Sequence, residues 1–269
     1  MQPKSTVEIK SEKIFVSVIF QNFDHSSDIL VFFRCLFRWS SYLRITINSG
    51  VSTKKTIRME MKTNSSRQIQ IKICGLTKPD QALSCFEMGA DLIGFNCWNG
   101  SSRYIVPEII SEIVSELPES ARTVGIFVNE SPDSINNIMK QTGMDLVQLH
   151  GDEALETCKK LEFPWFKAFR LSAKFKMSLI RHYKQETFLV DAFSKDHFGG
   201  SGRKIDIDIA RKASGLGKMI LAGGLTPENV EEAVKKVKPW AVDVCSGVES
   251  KPGIKDMRLV EKFIKKIIK

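Results

Sequence analysis

The 269-residue chain has no C-x-x-C pair and no clustering of its six cysteines with its four histidines. Cys35, Cys74, Cys85, Cys97, Cys158 and Cys245 lie far apart, which excludes the common structural zinc sites, so no metal is expected and a reducing compartment is the natural setting. Long apolar runs are missing as well. The most apolar piece of the first 68 residues, 29–37, contains Arg34 and falls far short of the roughly 18–20 residues that span a bilayer, so no membrane helix is expected. The glycine run Gly199-Gly200-Ser201-Gly202 is not a Walker A loop, because G-K-[ST] does not follow in frame.

What is present is charge, unevenly spread. The formal net charge is +9, and a basic balance invites nucleic-acid readings. Residues 1–68 hold eleven Lys/Arg against five Asp/Glu, a net of +6, which leaves +3 for the other 201 residues. The front also lacks regularly interleaved aromatics and any recognised nucleic-acid module, so no nucleic-acid partner is expected. Residues 1–67 read as an extension that is disordered, a targeting segment or a non-native start. Met59 and Met61 stand just before the first well-patterned strand, and Glu8 and Glu12 sit early for a transit peptide. A cytoplasmic location follows, with a plastid the alternative if the extension is a transit peptide.

From residue 68 onward, short β-branched runs alternate with longer amphipathic ones, the signature of β-α repeats and a parallel sheet. Strands are expected at 69–75, 91–97, 123–128, 146–150, 165–170, 187–192, 218–223 and 241–246. Helices are expected at 80–88, 107–117, 133–141, 175–184, 227–237 and 258–268. Thr77, Ser131 and Thr226, each shortly before a proline, read as capping hydroxyls. Eight units in about 200 residues match a closed (β/α)8 barrel. A doubly wound open sheet is the alternative; it usually has five or six strands and a G-x-G-x-x-G after the first, absent here. In a barrel, the chemistry gathers at the C-terminal ends of the strands. The polar residues there are Cys74, Arg103, His150, Asp191, Gly223-Gly224 and Ser246-Gly247.

Taken in order, the strand-end motifs resemble the phosphoribosylanthranilate isomerase family of tryptophan biosynthesis. They are Lys72-Ile73-Cys74-Gly75-Leu76-Thr77, Gly89-Ala90-Asp91 with Gly94-Phe95, Ser102-Arg103-Tyr104, Val124 to Asn129, Val147 to Glu153, Asp191 with Gly199-Gly200-Ser201-Gly202, Ala222 to Val230, and Val242-Asp243-Val244 followed by Ser246-Gly247-Val248-Glu249. The resemblance implies a cofactor-free Amadori rearrangement of an N-linked phosphoribosyl anthranilate to the open-chain 1-amino-2-ketose. It makes Cys74 the general base and Asp191 the general acid. Arg103 then receives the anthranilate carboxylate, which a guanidinium suits through two parallel bonds. The phosphate falls to Gly199, Gly200, Ser201, Gly202, Gly223, Gly224, Ser246 and Gly247, where backbone N–H groups face an anion. The expected partner is a small phosphorylated substrate, and the expected state a monomer or homodimer.

Two positions depart from the family pattern. After the second strand the chain reads Asn96-Cys97-Trp98-Asn99-Gly100 instead of an aromatic-proline-lysine segment, and Cys245 stands where Ser is common. Other readings are a catalytically silent barrel, which retention of both Cys74 and Asp191 argues against, and another phosphate-binding barrel. An indole-glycerol-phosphate synthase would want Lys and Glu at several strand ends, an epimerase a metal-binding His/Asp set, and an aldolase a Schiff-base Lys; none stands at the required ends.

Overall fold

The computed structural model describes residues 69–171, 175–192 and 207–268, together with four strands nearer the N-terminus. The chain divides into two compact units, Met1–Ser66 and Arg67–Lys269. In the first, β1 (Ser5–Lys10), β2 (Phe15–Phe20), β3 (Leu43–Ser49) and β4 (Thr53–Met59) pair antiparallel in the order β2-β1-β3-β4. Val7 lies opposite Val18, and Ile45 opposite Ile57. No clear succession of elements is expected here from the sequence. These runs are rich in Val, Ile and Thr, which favour a pleated backbone, but no regular amphipathic spacers set them off.

The second unit is a closed barrel of eight parallel strands. They are β5 (Gln70–Cys74), β6 (Leu92–Asn96), β7 (Arg122–Phe127), β8 (Leu146–Leu149), β9 (Trp165–Leu171), β10 (Thr187–Ala192), β11 (Lys218–Leu221) and β12 (Ala241–Val244). All eight expected strands are present. Helices cross between them: α1 (Pro79–Met88), α2 (Pro107–Glu116), α3 (Pro132–Thr142), α4 (Leu155–Cys158), α5 (Met177–Tyr183), α6 (Ile207–Ser214) and α7 (Val230–Val237), with α8 (Met257–Ile267) following β12 and the β13 (Glu249–Lys251)–β14 (Ile254–Lys255) hairpin. The short α4 and α6 are additions to the expected set. No described helix is long and apolar enough to cross a membrane.

The caps only partly follow expectation. Ser131 does cap α3, accepting from Ser134 N–H at 3.2 Å. Thr77 does not cap α1; it lies before the N-cap residue Lys78, and its hydroxyl donates to the Gly253 carbonyl at 2.6 Å. Helix α7 starts at Val230, later than expected, because Asn229 turns its side chain back to accept from Thr226 N–H and donate to the Gly224 carbonyl.

Alternation along each strand sorts the side chains into two cores. One face, with Ile71, Ile93, Val147, Val190, Leu221 and Val242, packs under the helices. The other face, with Leu92, Val124, Phe166, Leu189, Ile220 and Ala241, fills the barrel. Farther along the inward face, toward the C-terminal ends, the residues turn polar: Cys74, Asn96, Gln148, Asp191 and Asp243.

A buried ion pair fixes the loop after β8. Lys167 Nζ reaches Glu153 Oε2 at 3.0 Å and donates to the carbonyls of Leu149, Gly151 and Ala168. Glu153 accepts from the N–H groups of Asn129 and Gly151. Burial works against the Glu153 carboxylate, but Lys167 and the N–H donors outweigh it and hold the acid below its ordinary value. Its contribution to stability is therefore present above the unfolded-state value and is lost as pH falls through the depressed one. Lys167→Met strands a buried carboxylate, and about 3–5 kcal/mol of stability should go at neutral pH. In this variant Glu153 escapes by taking up a proton, so the deficit should narrow on acidification. Thermal unfolding of both proteins between pH 4 and pH 8 measures this, and a deficit constant with pH would contradict it.

Candidate active site

A cavity of about 580 Å³ opens at the C-terminal ends of the strands. It brings together Cys74, Arg103, His150, Asp191, Gly223, Gly224, Ser246 and Gly247 from the expected set. Gly199, Gly200, Ser201 and Gly202 lie outside the described residues. Both departures from the family pattern border the space, since Asn96, Trp98 and Cys245 line it. Asn96 Oδ1 accepts from Trp98 N–H at 3.0 Å, and Gly100 packs so closely on the Trp98 ring that a side chain there would strike it.

Cys74 ends β5, buried at 9% exposure. A hydrogen bond from Cys245 and the positive charges of Lys72 and Lys255 outweigh burial and hold its thiol well below the ordinary value. Cys245 is pushed up correspondingly, first because it is the donor in that bond and then by burial. The remaining described cysteines behave as core: burial raises Cys85 and Cys97 to about 12 and Cys158 to about 11. Beneath Cys74, Lys72 is fully buried and meets Asp243 Oδ1 at 3.0 Å. Burial raises Asp243 to about 6 against the pull of Lys72. Burial opposes the Lys72 charge too, but Asp243 and Cys74 outweigh it and hold the ammonium above its ordinary value.

Asp191 stands on β10 with its Oδ1 buried and unpartnered among the described residues. His150 Nε2 lies 3.5 Å from its Oδ2, and His150 Nδ1 is 2.9 Å from the Gln148 amide nitrogen. Gln148 thus holds one ring nitrogen of His150 while the other faces the carboxylate.

Arg103 is held in place from below. Its Nε donates to Glu249 Oε1 at 2.9 Å and its Nη2 to Glu249 Oε2 at 2.7 Å. Lys255 Nζ approaches the same carboxylate at 2.8 Å, with both side chains nearly inaccessible. Burial opposes the Glu249 charge, but Arg103 and Lys255 prevail and hold it below its usual range. Lys72, Asp243, Gln148, Glu249 and Lys255 carry no role in the sequence reading. Strand parity finds two of them, because Lys72 and Asp243 lie two residues before Cys74 and Cys245 and so share their inward face.

The edge formed by β11 and β12 is backbone. Gly223 and Gly224 have φ of 93° and 65°, a left-handed region that side chains rarely tolerate. The turn Ser246–Val248 follows β12, and a Cβ on Gly247 would strike the Leu225 carbonyl.

The barrel unit as a whole is similar to known proteins. Residues 71–266 match the family model described as N-(5'phosphoribosyl)anthranilate (PRA) isomerase. The chain belongs to the phosphoribosylanthranilate isomerase family. N-(5'-Phosphoribosyl)anthranilate isomerase of Geobacter sulfurreducens is 46% identical over 198 residues, which cover 74% of this chain and 98% of that protein. The crystal structure of phosphoribosyl anthranilate isomerase from Thermotoga maritima is 37% identical, with a TM-score of 0.70 over 74% of this chain and 98% of its own. A further isomerase structure, at TM-score 0.67 and 37% identity over the same shares, is a complex with reduced 1-(o-carboxyphenylamino)-1-deoxyribulose 5-phosphate.

In this isomerase-family chain the glycine edge allows a stability test. Gly247→Ala drives a methyl into the Leu225 carbonyl and forces two strand-end loops apart, at an expected cost of about 1–3 kcal/mol. Gly215→Ala, whose added carbon meets only the Lys212 carbonyl at 3.6 Å, should unfold near the wild-type urea midpoint. Equal midpoints for Gly247→Ala and wild type would refute the close approach.

Proposed function

We propose that the chain isomerises N-(5'-phosphoribosyl)anthranilate to 1-(2-carboxyphenylamino)-1-deoxyribulose 5-phosphate, with Asp191 as general acid and Cys74 as general base. The observation that carries this reading is a depressed thiol and a carboxyl with one oxygen unpartnered among the described residues, in a single cavity on strands separated by β11 and β12. Asp191 gives its proton to the furanose ring oxygen, the bond from that oxygen to C1 breaks, and a protonated Schiff base remains. The Cys74 thiolate takes the proton from C2, and the electron pair flows toward the imine nitrogen to give an aminoenol. Proton return to C1 and loss from the C2 hydroxyl complete the ketose. Electrons balance internally, and no redox partner enters.

The phosphate is assigned to Gly223, Gly224, Ser246 and Gly247, together with Gly199, Gly200, Ser201 and Gly202, because glycine leaves backbone N–H groups open to an anion. The anthranilate carboxylate is assigned to Arg103. Residues 68–269 form the isomerase domain and 1–67 an extension, of which the reaction does not need 1–58; the matched barrel covers 97–98% of the length of the relatives. Free thiols at Cys74 and Cys245 favour a reducing compartment, cytoplasm or plastid, and the protein acts as a monomer or homodimer.

The direct test follows the fluorescence of enzymatically generated phosphoribosylanthranilate, which should fall on addition of the purified chain. Activity should be bell-shaped in pH, because one group must carry a proton while the other must lack one. Cys74→Ser and Asp191→Asn should each lose at least the roughly 10²–10⁴-fold typical of a general acid or base, while still binding the reduced product analogue. Near-wild-type kcat in either variant, with the analogue bound, refutes that residue's assignment.

Arg103→Ala should raise KM more than it lowers kcat, since the guanidinium acts on binding. The reverse order would move Arg103 into the chemical step.

A further inference from the structure

The isomerisation scheme leaves two buried charged groups at the barrel mouth without a part. Lys72 and Asp243 are register partners on β5 and β12, the strands that close the barrel, and their side chains meet at 3.0 Å. Inward barrel positions usually hold Val, Ile or Leu, and a buried ion pair is often replaceable by apolar residues without loss of stability. Packing alone therefore gives no reason for a fully buried lysine here. Its position relative to Cys74 gives one. The two residues are two apart on β5 and share its inward face. A Cβ placed on Gly94 of the adjacent strand β6 would lie 3.2 Å from both Lys72 Nζ and Cys74 Sγ. Ammonium and sulfur thus flank the same spot, which glycine leaves open.

Resting on the reading of Cys74 as base, we propose that Lys72 is a positioning residue that holds Cys74 as its thiolate, with Asp243 keeping the ammonium charged and aimed at the sulfur. An ammonium carries three donors on a compact charge and can serve a carboxylate and a thiolate together. The groups facing Cys74 are Lys72 from its own strand, Asp243 and Cys245 from β12 and its end, Lys255 from β14 and Arg103 from the loop after β6. Asp191 acts on this set through Asp243. Lys72 differs from the other cations in where it sits. Lys255 contacts Glu249, the Cys245 carbonyl and the Cys245 sulfur, and Arg103 is forked onto Glu249. Only Asp243 shares Lys72 with Cys74 among the described contacts.

The test is the pH dependence of iodoacetamide alkylation of Cys74, read by peptide mass spectrometry on the full-length protein. Wild type should react with a midpoint below the ordinary thiol value of about 8.5. Lys72→Met should move the midpoint to higher pH, and at any pH below both midpoints alkylation should slow about tenfold for every pH unit the midpoint climbs, with the difference closing at high pH. Below both midpoints its kcat should fall in proportion, while KM and binding of the reduced product analogue stay within a few-fold. A purely structural lysine would lower stability and leave the alkylation profile in place. If Lys72→Met does not fold, Lys72→Met/Asp243→Asn, which strands no charge, is compared with Asp243→Asn, so that loss of the Asp243 charge is common to both and the midpoint should again climb. A wild-type midpoint at or above the ordinary value, or superimposable profiles in either comparison, overturns the proposal. Full activity in Cys74→Ser overturns the underlying reading instead, so the two failures are distinguishable.

Discussion

The barrel closes where β12 lies against β5, and the inward pair at that seam is an ion pair, Lys72 with Asp243. Two charges removed from water in this way are tolerable only if each holds the other and the remaining donors find acceptors. That condition ties the seam to the mouth above it. The same register that joins Lys72 to Asp243 brings Cys74 beside Cys245 one layer higher, so the strand pairing that shuts the cylinder also sets the electrostatics of the thiol.

A second chain of charges builds the rim. Lys255, Glu249 and Arg103 come from the β13–β14 hairpin and the loop after β6, far apart in sequence, yet they form one connected series. Its buried end is fixed by backbone as well, since Lys255 Nζ donates to the Cys245 carbonyl at 3.2 Å and Glu249 Oε1 accepts from Gly253 N–H at 3.2 Å. A long arginine side chain, which in water would sample many rotamers, is thereby ordered before any ligand arrives.

How much of this the sequence discloses follows from the range of each interaction. The eight strands are legible because a β-branched run of four to seven residues between amphipathic spacers is a local signal. Helix α4 is a single turn, Leu155–Cys158, too short to show a period, and α6 opens on Ile207-Asp208-Ile209, whose period of two is that of a strand. Thr77 carries the local signature of a cap, but a tertiary acceptor, the Gly253 carbonyl, takes its proton. The positions of Cys74, Asp191 and the glycine pairs can be read because they mark strand ends. Strand parity puts Lys72 and Asp243 on the inward face, but the pairings that tune the site are not local: Lys72 to Asp243 spans 171 residues and Arg103 to Glu249 spans 146. Closure of the barrel makes Lys72 a buried, paired cation.

The fork between Arg103 and Glu249 carries a consequence for molecular selection. Glu249 occupies the side of the guanidinium that bears Nε and one Nη2 hydrogen, which leaves the end-on edge, with Nη1 and the second Nη2 hydrogen, for an incoming carboxylate. A planar acid docked on that edge has its direction dictated by the plane of the guanidinium, and the ring it belongs to is swung into one orientation. Under the role proposed for Arg103, isomers that differ in where the nitrogen substituent leaves the ring would present that substituent in different directions from the same grip. Discrimination among them would then arise from the immobility of the receptor, not from how strongly it binds.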